Sequence, residues 1–448
     1  MTAIVFAGPD LRALREQLLE EAPNEAAAVL LAGRMSLPNE TRLLVREVHV
    51  VPAGQYDAQS GMLAVVSPTF LAPLLKRARN EGWSLVLVHT HPFAQEARFS
   101  VVDDEGERVL MPVLMMRAGG RPHGALLLSQ SDCRARLWDR SASSSKDCDF
   151  VTEVGTEITT IWRDGRAGSS LSKYDRSIRA LGALGQEAVA ALTVGIVGLG
   201  GLGSIVAQQM AHLGAKKFIL IDPDSIEETN LNRLVGAGPR DVGRSKVAVA
   251  RRLIRGVNPE ATVTALRGDV LKSKWVKELL QCNFLFCCTD SHGSRAVINQ
   301  VAYQFLIPTI DLGVRVQTSA GITESITGRV QMLAPELPCL VCQNLLDPEE
   351  VRRDLLTDDE RERDPYIVGI REPQPAVISL NGTVASLGVT MMLSAVAGLR
   401  NPSRHQVVLF DKGTVRTVSS TREPRCVVCS NKGALARGDL WPLPGRAT

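Results

Sequence analysis

From Leu192 the chain reads LTVGIVGLGGLGSIVAQQMAHLGAKKFILID: a short apolar run, a cluster of glycines, an apolar stretch and a second short run ending on Asp222. This pattern leaves few folds open. TVGIVG predicts a strand, SIVAQQMAHLG a helix and KFILID the next strand, which together make a βαβ unit and hence a parallel sheet covered by helices. Gly198, Gly200, Gly201 and Gly203 satisfy G-x-G-x-x-G at the turn. Without side chains there, the backbone can approach a phosphate, and the helix N-terminus favours its charge. The apolar stretch from Val189 to Ala207 reaches membrane-span length, but its five glycines follow the strand–turn–helix pattern and point to a buried core.

By itself the turn does not select a ligand, because nicotinamide-dependent enzymes share it. The continuation discriminates: IDPDSIEETNLNRL, then DVGRSKV, then FLFCCTD. Asp222, at the end of the second strand, suits ribose hydroxyls. Arg233 and Lys246 add two positive charges suited to a triphosphate, Asn230 adds a neutral hydrogen-bonding group, and Asp290 closes an apolar strand where it could hold Mg²⁺. This set resembles the ThiF/MoeB/ubiquitin-activating superfamily, whose signature joins GxGGxG to D-x-D (here Asp222 and Asp224), N-L-x-R, a lysine and a T-D pair. The resemblance implies a Rossmann-like fold and an ATP-dependent adenylyltransferase, in which the C-terminal carboxylate of a ubiquitin-like or sulfur-carrier protein attacks the α-phosphorus and releases pyrophosphate. KYDRSIRALG is similar to the family's R-Y-x-R-Q-I segment, which implies that Arg176 reaches the nucleotide in trans across a homodimer. Ser177 and Leu234 stand where the family has glutamine. A structural fold without ATP and an NAD enzyme remain as other readings.

Nine cysteines stand at 133, 148, 282, 287, 288, 339, 342, 426 and 429, an odd count that argues against a disulfide framework. Cys339-x-x-Cys342 and Cys426-x-x-Cys429 suit a closed tetrahedral zinc site of structural type; four unligated thiols are the alternative. Many members of the superfamily pass the acyl group to a cysteine in a crossover segment, read here as residues 343–375. No cysteine occurs from Gln343 to Arg425. Cys287 and Cys288 sit in the strand leading to Asp290, where burial is expected, and Cys133 and Cys148 have no visible activating partner. Adenylation without an internal thioester is therefore expected, as in the MoeB-like branch.

A second constellation lies near the N-terminus. SLVLVHTHP predicts a strand on which side chains alternate, so His89 and His91 share a face and can converge on one metal. Asp103 can supply an oxygen ligand and water a fourth position, the open arrangement of catalytic zinc, which lowers the pKa of its water to about 7. Ser100, three residues before Asp103, can hydrogen-bond a developing oxyanion. These residues resemble the JAMM (JAB/MPN) metalloprotease family, whose pattern is an upstream glutamate, H-[ST]-H-P, a short loop and S-x-x-D. The resemblance selects Glu25 as the base and implies hydrolysis at the C-terminal end of ubiquitin-like proteins. Eight residues separate His91 from Ser100, one more than in the family pattern, which reshapes the loop on the substrate side. A metal-free scaffold is the alternative. His49, His123, His212, His292 and His405 stand alone and are expected to be structural.

The expected architecture is multidomain: an N-terminal α+β (JAB/MPN-like) domain over 1–135, a linker over 136–172, a C-terminal α/β Rossmann-like ThiF-type domain with a structural zinc site over 173–430, and a tail over 431–448. Ser131 to Ser172, with SASSSKD and RDGRAGSS, supplies the linker signal. The tail is expected to be disordered, or to dock a partner through Trp441. Hydrophobic residues make up 45% and 51 basic side chains face 48 acidic ones, so charge points to no nucleic acid. No leader is seen before the short N-terminal apolar run, and Thr383–Leu399, with Gly388 and Ala395 for close packing, is expected as a core helix; the default compartment is cytoplasmic and no membrane partner is expected.

Both constellations address the same object, the C-terminus of a ubiquitin-like protein. The leading expectation is a bifunctional enzyme, a zinc-dependent (iso)peptidase fused to an ATP- and Mg²⁺-dependent adenylyltransferase, with a conjugating enzyme as a possible partner. Sulfur-carrier activation with a sulfurtransferase partner is the enzymatic alternative, and a non-catalytic scaffold binding ubiquitin-like proteins is the other.

Overall fold

The computed structural model describes residues 1–141, 143–165, 172–319, 322–357, 360 and 375–446. About half of the expected crossover segment, 358–359 and 361–374, lies outside them. The chain divides into two units, one of Met1–Gly165, Gln304–Leu306 and Ala434–Pro442, the other of Arg166–Tyr303, Ile307–Gly433 and Leu443–Thr448.

The first unit is organised by a nine-stranded sheet. In chain order it contains β1 (Thr2–Ala7), α1 (Asp10–Leu19), β2 (Ala27–Leu37), β3 (Glu40–Val50), the small hairpin β4 (Tyr56–Ser60) and β5 (Leu63–Val66), α2 (Pro68–Glu81), β6 (Ser84–Thr90), α3 (Val101–Ala118), β7 (His123–Leu128), β8 (Cys133–Trp138), β9 (Ser145–Asp147), β10 (Phe150–Val154) and β11 (Ile158–Trp162). The sheet order is β11-β10-β1-β3-β2-β6-β7-β8-β9. Two apolar clusters form the core. One gathers Leu11, Leu14 and Leu18 of α1 against Ile4, Leu30, Leu43 and Val86; the other packs Leu75 of α2 and Met111 and Leu114 of α3 against Leu31, Trp83 and Leu85. Local signals set the helix ends: the Ser67 side chain accepts from Thr69 N–H, Pro68 opens α2, and Gly82 closes it at φ 83°.

Two expectations need correction. The stretch read as a linker carries the end of β8 and all of β9, β10 and β11, and β10 pairs in parallel with β1, from Ala3↔Phe150 to Ala7↔Val154. Its polar flanks hide a five-residue strand whose partner lies about 150 residues away in sequence, a pairing that local composition cannot announce. Cys133, just before that stretch, and Cys148 within it are core residues. The tail is not simply a loose end: Ala434–Pro442 belongs to the first unit, where Asp439 N–H donates to the Arg34 carbonyl at 2.6 Å, Arg46 donates to the Leu435 carbonyl, and Arg437 stacks between the rings of Trp83 and Trp441 at 5.7 and 4.8 Å. Gly33 is required beneath it, because a Cβ there would fall on the Ala436 carbonyl.

The second unit contains α4 (Asp175–Ala191), β12 (Thr193–Val197), α5 (Gly201–His212), β13 (Lys217–Ile221), α6 (Lys246–Val257), β14 (Thr262–Leu266), α7 (Ser273–Leu279), β15 (Phe284–Cys287), α8 (His292–Gln304, its last residue counted with the first unit), β16 (Thr309–Ser319), β17 (Ile322–Leu333), α9 (Pro348–Leu355), α10 (Ile378–Ala397), β18 (His405–Leu409) and β19 (Thr414–Thr417). Its sheet runs β14-β13-β12-β15-β16-β17-β18-β19, parallel from β14 to β16 and antiparallel beyond. The strand order reverses between β12 and β15, the switch point where open α/β sheets bind ligands outside the carboxyl ends of their strands. α10 is long and apolar enough to cross a membrane, yet a Cβ on Gly388 would meet Leu312 and Ile310 of β16, and one on Gly328 of β17 would meet Val384. That helix therefore packs on the sheet, as its small residues predict.

Candidate active sites

In the first unit, Glu25 precedes β2, His89 and His91 lie at the end of β6, and Asp103 opens α3. Backbone pairing aligns the first two: Ala27 sits opposite His89 in the β2–β6 register. Thr90, between the histidines, is fully buried, and its hydroxyl oxygen accepts from Ala26 N–H at 2.9 Å, tying the glutamate's strand to theirs. Asp103 arrives by a capping box. Ser100 Oγ accepts from Asp103 N–H at 3.2 Å, and Asp103 Oδ2 accepts from Ser100 N–H at 2.6 Å. The S-x-x-D spacing is thus a helix start as well as a site motif, and Ser100 keeps its own proton to donate.

The side chains converge. His89 Nε2 lies 3.0 Å from Asp103 Oδ1, His91 Nε2 3.4 Å from Asp103 Oδ2 and 3.6 Å from Glu25 Oε1. One ligand atom from each of His89, His91 and Asp103 falls within 4.8 Å of the others. His89 Nε2 is buried and, despite its closeness to Asp103, makes no aligned hydrogen bond, as expected of a nitrogen whose partner is a metal. Three protein donors of this kind fit zinc with one open position. Burial raises the Glu25 pKa against the pull of His89 and His91. Asp103 stays well below the carboxylate range: burial opposes this, but the close approach of His89 and His91 prevails.

Support for this site comes from residues the sequence did not single out. Arg136 on β8 donates to both oxygens of Glu107 at 2.9 and 2.8 Å and to Asp104 at 2.6 Å, while Trp138 Nε1 donates to Glu107 at 2.5 Å. The same guanidinium lies 4.0 Å from the centre of the Phe99 ring, whose centroid is 6.3 Å from that of His89. The first turn of α3, which carries Asp103, is thereby fastened to the sheet. No sequence motif marks Arg136, because its partners are defined only once α3 lies over β8.

In the second unit the glycines take the geometry their motif predicts. Gly198 has φ 85° and a Cβ there would meet Cys288 and Thr289, so the turn packs on the end of β15; a Cβ on Gly203 would fall on the Gly198 carbonyl, while nothing lies within 4 Å of one on Gly200. α5 begins at Gly201 with no side-chain cap, leaving the helix N-terminus to an anion. Asp222 is 4% exposed, its Oδ2 accepts from Leu199 N–H at 2.6 Å and its Oδ1 from Asp224 N–H at 2.8 Å. Both oxygens thus brace the glycine turn and the strand end, while the Asp224 side chain is exposed. Asp224 is paired with Lys246 at 2.7 Å. Arg233 donates to the Thr229 carbonyl at 2.7 Å, and Asn230 Oδ1 accepts from Glu227 N–H at 3.2 Å. Asp290 is exposed just beyond β15, two residues after Cys288 on the turn. Arg176 is exposed near the start of α4, the helix that precedes β12.

The four paired cysteines come together as well. Sγ–Sγ distances are 3.7 Å for Cys339–Cys342, 3.5 Å for Cys339–Cys426 and 3.4 Å for Cys342–Cys429. These are far beyond a disulfide's 2.05 Å or so and near the edge, roughly 3.8 Å, of a tetrahedron with zinc–sulfur bonds of about 2.3 Å. Cys339, Cys426 and Cys429 are buried, which suits a closed structural site. Cys287 is buried and Cys288 partly so, and burial pushes both thiols up, which disfavours a nucleophilic role.

Comparison with known proteins divides the chain in the same way. The ThiF family matches residues 174–429, and the family of prokaryotic homologs of the JAB domain matches residues 9–138. The SAMP-activating enzyme E1 of Haloferax volcanii is 26% identical over 248 residues, 52% of this chain and 78% of that protein. The molybdopterin-synthase adenylyltransferase of Escherichia coli is 27% identical over 225 residues, 50% of this chain and 81% of its own length. Among solved structures, E. coli MccB with MccA-N7isoASN aligns at a TM-score of 0.48 and 22% identity, covering 58% of this chain and 76% of that one.

Proposed function

Because the chain belongs to the ThiF family and carries a JAB-like unit ahead of that region, we propose that it is a bifunctional enzyme acting on the C-terminus of a ubiquitin-like or sulfur-carrier protein. The second unit adenylates that C-terminus with ATP, and the first cleaves the bond beyond it. The observation that carries this reading is the convergence of Glu25, His89, His91 and Asp103 in a chain that also holds the glycine turn with Arg233, Lys246 and Asp224.

Adenylation needs little covalent chemistry from the protein. A C-terminal carboxyl group ordinarily titrates near about 3.5 and is already ionised at neutral pH. One of its oxygens bonds to the α-phosphorus, the α–β bridging bond breaks, and pyrophosphate leaves with the electron pair. The protein's task is position and charge. The α5 N-terminus and the bare turn receive phosphate oxygens, Lys246 and Arg233 leave their present acceptors for the polyphosphate, Asp224 takes a ribose hydroxyl, and Asp290 would hold Mg²⁺, which would neutralise phosphate charge. Arg176 joins from a second copy of the chain. With no cysteine between Gln343 and Arg425, the acyl adenylate is passed on without a thioester in the crossover.

In the first unit, His89, His91 and Asp103 would hold zinc, which supplies a water of lowered pKa and polarises the scissile carbonyl. Glu25 accepts a proton and returns it to the departing amine. Burial tunes its pKa upward for that exchange. Ser100 donates its hydroxyl proton to the oxygen that gains charge.

The likeness to a molybdopterin-synthase adenylyltransferase and the cysteine-free crossover favour one variant, in which sulfide-level sulfur from a donor attacks the acyl carbon, the acyl–phosphate bond breaks and AMP leaves, giving a thiocarboxylate. The deciding experiment is ATP–pyrophosphate exchange with ubiquitin-like and sulfur-carrier proteins, each prepared as a form ending in glycine and as a C-terminally extended form. Exchange with the extended form only while His89 and His91 are intact means that the units act in series. No exchange and no cleavage with any of them leaves a binding scaffold and overturns the proposal.

A further inference from the structure

From the packing of α10 on the glycine turn we infer that Asn381 is a nucleotide-binding residue, its carboxamide donating to a phosphate oxygen of ATP and then of the acyl adenylate. The inference rests on the adenylation reading above and adds a contact that no residue of the N-terminal βαβ signature supplies.

Asn381 lies in the first turn of α10, in the run ISLNGTVASLGV, where nearly every other buried position is apolar or small. It is 5% exposed. Its backbone N–H donates to Val377, but its side chain makes no hydrogen bond to any described residue. What the carboxamide touches is the glycine turn. A Cβ on Gly201 would collide with Asn381 Nδ2, and the next atom it would meet beyond that side chain is Cδ of Arg233. Gly201 thus has no side chain because Asn381 fills that space. The donor sits beside the uncapped N-terminus of α5, next to Gly200, around which the space is open.

Three features therefore meet at one point: free helix N–H groups, a cation on a long arm, and an unpartnered amide donor. The chemistry that satisfies all three is an anionic oxygen with several lone pairs, as in a phosphate. Because α10 follows directly on the crossover segment in the chain, Asn381 also gives that part of the fold a direct hold on the bound nucleotide.

The test uses the full chain and measures Mg·ATP and adenosine binding by calorimetry for wild type, Asn381→Ala and Asn381→Asp. A hydrogen bond to a charged oxygen predicts a loss of about 10-fold or more in ATP affinity for Asn381→Ala and a larger loss for Asn381→Asp, which adds a like charge. Adenosine, lacking phosphate, should bind all three alike. Unchanged ATP affinity in both variants, or equal losses for ATP and adenosine, overturns the inference. Hydrogen–deuterium exchange on wild type is independent of variant folding: ATP but not adenosine should protect residues 378–383, and no such protection also overturns it. Wild type that fails to bind ATP at all removes the adenylation reading itself, a result distinct from either of these.

Discussion

The two candidate sites of this chain answer opposite electrostatic problems with opposite constructions. In the first unit, two imidazoles and two carboxylates from three separate places lie 3.0–3.6 Å apart. A carboxylate and an imidazole attract each other, so donors of this composition favour gathering at one point. In the second unit the proposed ligand is an anion, and the groups proposed to bind it are cations that repel. Lys246 rests on Asp224 and Arg233 on a backbone carbonyl. On the proposed reading, an anion site of this kind exchanges partners when it fills, whereas a metal site of the first kind need only accept its ion.

The comparison predicts separable losses, and the largest is at the metal. Replacing both His89 and His91 by alanine should take zinc from two equivalents per chain to one, and peptidase activity should fall by more than about 100-fold. Pyrophosphate exchange with a substrate ending in glycine should persist. Loss of both activities together would show that the sites are not separable.

Next comes the frame behind that site. Arg136→Met leaves Glu107, itself buried, without its guanidinium, which should cost about 3–5 kcal/mol in the first unit. Denaturant titration reads that cost. Competition with a chromophoric chelator should show zinc at the histidine site weakened by about 10–100-fold and the cysteine site unchanged. Equal weakening at both would mean a general loss of structure.

The partner-exchange idea is sharpened by Lys246→Ala. It should lower pyrophosphate exchange by about 10²–10³-fold, the cost typical of a lost charge-stabilising donor, with cleavage untouched. An unchanged exchange rate would mean that Lys246 stays on Asp224 throughout.

The smallest effect is on pH dependence and belongs to the first unit alone. Burial pushes His123 down to about 4, and its Nδ1 accepts from Leu85 N–H at 2.9 Å, so it is neutral in the fold. In the unfolded chain it takes up a proton near pH 6.5 or so. Between those values the unfolded chain binds more protons, so stability is complete above about pH 6.5 and falls toward pH 4, by at most about 3 kcal/mol. Urea titrations at both ends of that window, on wild type and His123→Gln, should show the steeper slope in wild type. Equal slopes would remove His123 as the cause.

What could be read from the chain alone was whatever is local and periodic. The βαβ unit around Gly198–Gly203 follows from a change of hydrophobic period across a turn, the two C-x-x-C pairs from ligand chemistry, and the shared face of His89 and His91 from strand alternation. These need only a few neighbouring residues. Other features were decided by tertiary structure, because each depends on a partner distant in sequence. Phe150–Val154 is a strand because β1 lies beside it, and Ala434–Pro442 is ordered within the first unit because Arg34 and Arg46 receive it. Asp222 also braces the glycine turn, because backbone N–H groups of Leu199 and Asp224 donate to its two oxygens. Arg136 and Asn381 carry no motif at all. The task of a polar side chain is set by the donors, acceptors and space around it, and those are assembled only when the chain folds.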